Sequence, residues 1–178
     1  MGFNISYGIF KGIDECEVLS RLSLKADGRS DFYLEEELAG APLGNGLYFV
    51  FAQDLGFFLG DTWRTKSEWY GEAYSVVVTE TSMVAQSTKW DGNNKIWQVT
   101  HDSQQSIRHL ETIGTVPSSY QKLVREAEAK QAAEPDGPMS VDWFYEVPVE
   151  LVRLETGFRY DLLHDAVEKQ AEVLRPAP

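Results

Sequence analysis

Three histidines, His101, His109 and His164, and one cysteine, Cys16, are the side chains of this 178-residue sequence best suited to acid–base, nucleophilic or metal chemistry. His101 ends an alternating run, 95–101, and His109 stands two residues before Glu111 on a predicted strand, 108–113. Together, His101, His109 and Glu111 would form a two-histidine, one-carboxylate set of the kind that holds iron or zinc. Their spacing lacks the compactness of His-Glu-x-x-His, and a solvated strand accounts for His109 and Glu111 equally well. As a general base, His101 would need a carboxylate to orient it. Its neighbour Asp102 cannot serve, because successive strand residues point to opposite faces. Glu80 and Glu111 are the other acids available, which makes His101, Glu80 and Glu111 the candidate catalytic set. The stronger expectation is that His101 is scaffold, a partly buried histidine closing the sheet edge through hydrogen bonds.

Other chemistries find less. Cys16 falls on the apolar stripe of a predicted helix, where it would act as a small hydrophobe, and as the lone cysteine it excludes an internal disulfide. No serine sits in a Gly-x-Ser-x-Gly elbow. Gly40-x3-Gly44-x-Gly46 has neither the lysine nor the glycine order of a phosphate loop. Acidic groups such as Glu35-Glu36-Glu37 and Asp142 with Glu146 are expected to be solvated. Trp63, Trp69 and Tyr70, with Phe57 and Phe58, are candidate binding residues around Gly56 and Gly60. Packing of one short helix is the competing account of those rings.

The elements that would position these residues follow from periodicity and turn chemistry. Phe3, Ile5, Tyr7 and Ile9 alternate with Asn4, Ser6 and Gly8, which predicts a half-buried strand. Asp14 would cap a helix with Cys16, Val18, Leu19 and Leu22 on one side, ending at Ala26-Asp27-Gly28. Residues 32–38 fit a solvated helix or loop. After the Gly44-Asn45-Gly46 turn, 47–52 reads as a strand, and Asp61 or Thr62 would cap a short helix carrying Trp63, Trp69 and Tyr70. Strands are predicted at 74–79, 83–90, 95–101 and 108–113, and Asp91-Gly92-Asn93-Asn94 is the clearest hairpin turn in the chain. An even-numbered loop would put Val84, Gln86, Thr88 and Trp90 on one face with Lys95, Trp97, Val99 and His101. Pro117 starts a helix running to about 133, and Pro148 opens another that stops at Gly157. A mobile loop is expected at 133–140, and a tail that frays from about 170. The expected fold is a single α+β domain, 1–178, an antiparallel meander sheet with helices on one face and at the ends.

Charge narrows the function classes. Asp and Glu number 28 against 16 Lys and Arg, a formal charge of −12. Such a field repels phosphate backbones and anionic lipid, so neither nucleic acid nor membrane is an expected partner, whereas a basic protein would be steered in. The start of the chain lacks a signal-peptide pattern and no apolar run spans a bilayer, so the expected location is the cytoplasm. No cofactor is called for. The expected function is that of a nonenzymatic acidic binding or accessory protein, an immunity-type partner of a basic protein. The alternative is a small hydrolase or metal-dependent enzyme using His101 with nearby acids.

Trp90-Asp91-Gly92-x3-Ile96-Trp97-x-Val99-x-His101-Asp102 resembles the central hairpin of a family of uncharacterised bacterial proteins. Leu110-Glu111-x-x-Gly114-x-x-Pro117 and the closing stretch from Pro148 to Asp161, with its Thr156-Gly157-Phe158-Arg159-Tyr160-Asp161, are similar to later segments of that family. The resemblance implies a compact bacterial domain and brings no activity or catalytic residue with it. At Thr79-Glu80-Thr81 the chain departs from the family's more usual Glu-Glu-His, which removes a second histidine from the neighbourhood of His101.

Overall fold

The computed structural model describes residues 3–64, 68–134, 140–162 and 171–177. His164 and most of the expected mobile loop, 135–139, lie outside the described residues. The chain is α+β, and its described strands form one nine-stranded antiparallel sheet in the order β2-β9-β3-β4-β1-β5-β6-β7-β8. In chain order these are β1 (Asn4–Lys11), α1 (Glu15–Leu22), β2 (Leu24–Ser30), β3 (Leu38–Gly44), β4 (Leu47–Ala52), α2 (Leu55–Phe58) and β5 (Glu72–Thr79). They continue with β6 (Val84–Asp91), β7 (Asn94–Asp102), β8 (Glu111–Gly114), α3 (Ser119–Ala133), α4 (Glu146–Thr156) and β9 (Glu172–Pro176). The meander expected from the sequence is the β5-β6-β7-β8 half of the sheet. No described helix is long and apolar enough to cross a membrane.

β1 is central and buried on both faces. Ile5, Tyr7 and Ile9 enter a core with Phe49, Val76, Trp97, Val99, α3 and α4. Ser6, Gly8 and Phe10 face the other way, where Phe10 joins Val18, Leu19, Val50, Phe58, Trp63, Trp69 and Trp90. The small residues that gave β1 a half-polar pattern therefore mark a second core rather than solvent. Gly8 is required there: a Cβ would lie 2.6 Å from the Phe58 ring.

α1 forms as its ends dictate. Asp14 accepts from the Glu17 amide at 3.0 Å, Glu15 and Glu17 occupy the first turn, and Ser23 closes the helix in the left-handed region. Val18 and Leu19 are its buried residues, while Cys16 is exposed, contrary to its expected place on the stripe.

The tryptophan hairpin differs from expectation in one consequential way. Trp90 pairs with Lys95 but Lys89 pairs with Trp97, so Ile96 is an extra residue on β7. This β-bulge reverses the facing of everything beyond it. Trp97, Val99 and His101 align with Lys89, Ser87 and Ala85, and Trp90 faces the opposite core. Both indoles are buried, on opposite sides of the sheet.

Three further segments depart from the sequence reading. Residues 24–30, expected as the end of α1 and a turn, are the edge strand β2. The tail expected to fray supplies β9, which lies between β2 and β3 and buries Val173 and Leu174. The short helix expected to carry Trp63, Trp69 and Tyr70 is a single 3-10 turn, Thr62–Arg64, with Trp69 and Tyr70 beyond it outside any helix or strand.

Candidate functional site

His101, at the end of β7, is 0 % exposed. Its Nδ1 lies 2.8 Å from the carbonyl oxygen of His109, and its Nε2 lies 2.9 Å from Asp142 Oδ2. A carbonyl only accepts, so Nδ1 carries a proton and donates it, while Nε2 lies within hydrogen-bond distance of the carboxylate. Asp142 Oδ1 accepts from the amides of Phe144 and Tyr145, which turns the chain into α4. The pair thus joins the β7 end to the start of α4, and both imidazole nitrogens are occupied.

The acids expected beside His101 are elsewhere. Asp102 turns away, accepting from the Gln104 amide and the Gln105 side chain. Glu111 pairs with Thr100 and so stands on the face opposite His101. His109 precedes β8 rather than lying within it; its amide donates to Ser106 and its Nδ1 accepts from the Asp102 amide at 3.0 Å. His101, His109 and Glu111 are therefore not assembled into a ligand set. Among the described residues, no group of three or more His, Cys, Asp and Glu side chains is arranged to hold a metal.

Glu80 belongs to a different constellation. Just after β5, it accepts from the Phe3 amide at 2.9 Å and from the Tyr160 hydroxyl at 3.0 Å. It lines a cleft of about 510 Å³ beside the start of α4, together with Asp142, Tyr145, Glu146, Arg159, Tyr160 and Asp161. Among the described residues that line it, four are carboxylates and one is a guanidinium. Arg159 is held by Glu146 and by Asp161, the latter at 2.6 Å, with Glu150 at 3.6 Å. Burial alone would lower the Arg159 pKa, but Asp161 and Glu146 outweigh it and hold the guanidinium above its ordinary range. Burial, reinforced by Tyr145 and the Glu80 carboxylate, pushes the Tyr160 phenol far above its usual value. Tyr7, fully buried and close enough to Arg159 to feel its charge, has a hydroxyl without a hydrogen-bond partner, and burial pushes its pKa up as well. Arg159 and Glu146 also border a second hollow of about 300 Å³ between α3 and α4.

Chemically, this cleft can neutralise and hold positive charge; Tyr160 stays protonated and donates to Glu80. The residues that build it include Asp142, Arg159 and Tyr160, which sequence reasoning passed over as functional positions. Two signals pointed to them: the aspartate immediately before the Trp143-Phe144-Tyr145 run that leads into a helix, and the Thr156-Gly157-Phe158-Arg159-Tyr160-Asp161 exit that follows α4.

The aromatic candidates lie on the other face. Trp63 and Trp69 are buried, 7 % and 5 % exposed, whereas Tyr70 is 47 % exposed with the Arg21 guanidinium 4.9 Å from its ring. No protein-family model, curated protein or solved structure matches the chain.

Proposed function

We propose that this protein is a nonenzymatic binding domain whose acidic cleft receives a basic segment of a partner protein, in the manner of an immunity-type partner. The observation that carries the reading is the acidic lining of that cleft, where Glu80, Glu146 and Asp161 stand with one arginine. The −12 charge of the whole chain adds a long-range field that speeds encounter with a cation and weakens with salt. The enzyme alternative needs His101 to reach a substrate, and its complete burial with both nitrogens occupied favours the scaffold role instead.

Calorimetric titration with an oligo-lysine peptide and a matched oligo-glutamate tests this. The basic peptide should bind and weaken by about tenfold or more between low and physiological salt. Glu80→Gln with Asp161→Asn should weaken it further. Binding that ignores both salt and these substitutions would remove the cleft as the site.

A further inference from the structure

The tryptophan face holds a cation with no counter-charge among the described residues. Arg64 closes the 3-10 turn and is only 5 % exposed. Its guanidinium carbon lies 4.7 Å from the ring centroids of Trp63 and Trp90 and 5.3 Å from that of Trp69. Nε, Nη1 and Nη2 are all buried, and none meets a hydrogen-bond acceptor. The indole N–H of Trp69 is also buried without one. Those of Trp63 and Trp90 are already occupied, donating to the Gly60 carbonyl at 3.2 Å and to Ser75 Oγ at 3.3 Å.

Indole faces attract the charge of a guanidinium, but they do not replace the oxygen acceptors that its in-plane N–H groups direct outward. Arg21, Arg29, Arg153, Arg159 and Arg175 all have carboxylate partners, and Arg108 and Arg125 are exposed. Arg64, the most buried arginine, has no carboxylate partner among the described residues. Burial pushes the Arg64 pKa down to about 10, consistent with a charge that lacks a counter-ion.

A site made only of donors, in a planar fork, selects an acceptor with two coplanar oxygens. Walls made of indole select an apolar body behind that acceptor. We infer that Arg64 is the anchor of a binding site for a small organic carboxylate, its anionic end on the guanidinium and its hydrocarbon body against the tryptophans. The buried nitrogens are reached only if the rings part, so binding reports itself in tryptophan emission. This site lies on the face of the sheet opposite the acidic cleft, and either can fail without the other.

The test titrates the full chain with 3-phenylpropanoate, its neutral analogue 3-phenylpropanamide, and inorganic phosphate, following tryptophan fluorescence and heat. The carboxylate should give a saturable response at least tenfold tighter than the amide or phosphate. Arg64→Met should abolish it, and Arg64→Lys, which keeps the charge but loses the fork, should weaken it severalfold. Equal binding of carboxylate and amide, no saturable binding of the carboxylate, or binding unchanged in Arg64→Met would overturn the site. Phosphate as tight as the carboxylate would overturn the organic class of ligand. The wild-type comparison of acid with amide decides the matter even where Arg64→Met does not fold.

Discussion

On the α3–α4 face of the sheet, the buried imidazole of His101 has a carboxylate and a carbonyl, and the carboxylate in turn has two backbone amides. On the tryptophan face, the buried guanidinium of Arg64 has three aromatic rings and no oxygen. The first arrangement is complete within the chain, so it is structural: two elements are held together by it. The second has no oxygen partner among the described residues, and that open valence is what the inferred carboxylate site would fill. Burying a polar or charged group is expensive in either case, and what separates scaffold from site is whether a partner is supplied.

This contrast can be tested by breaking each side in turn. The largest effect is expected for Asp142→Ala, which strands the His101 imidazole and frees the amides of Phe144 and Tyr145. A loss of about 3–5 kcal/mol in urea unfolding is expected for removing one member of such a buried pair. A loss below about 1 kcal/mol would mean that the pair is not the joint between β7 and α4. Next comes Gly8→Ala, whose new Cβ would meet the Phe58 ring at 2.6 Å. Overpacking of the tryptophan face should cost about 1–3 kcal/mol, read in the same unfolding curves.

Arg64→Met should behave in the opposite sense to Asp142→Ala. Replacing an uncompensated buried cation by a hydrophobe of similar length should leave stability unchanged or raise it by up to about 2 kcal/mol. A strong loss of stability would instead show that the cation–π contacts themselves hold this face together. The smallest effect concerns Glu150, which Arg153, with help from Arg159, holds below the ordinary carboxylate range. A depressed carboxylate stabilises the fold above its unfolded pKa, and that contribution disappears as pH falls through the folded value. Glu150→Gln should therefore be less stable than wild type by about 0.5 kcal/mol at neutral pH, with the gap closing on acid titration below about pH 4.

Much of the sheet was legible because its centre alternates and its turns are marked. β4, β5, β6 and β7 fall close to their predicted spans, and Gly157, at a φ of 78°, ends α4 as a left-handed cap. β2 was not legible, because an edge strand with one buried residue in seven has no apolar period to read. β9 offers only Val173 and Leu174, one to each face, too little for a periodicity argument. The scaffold role expected for His101 matches its burial, yet its partner Asp142 comes from 41 residues further along, a distance that local spacing does not bridge. The bulge at Ile96 defeated the facing rule for a physical reason: one inserted residue inverts a period of two. Arg64 gave no signal at all, since only the closed fold shows that no acid among the described residues reaches it.

The placement of β9 ties distant parts of the chain into a single fate. Among the described strands, β2 pairs only with β9, and the outer flank of β3 pairs only with β9. Ribosomal synthesis therefore leaves residues 24–30 unmated until residue 176 has emerged. Clipping the polypeptide ahead of residue 172 would shed two strands at once and lay bare the Leu38–Gly44 backbone, a ready template for unwanted pairing with other chains.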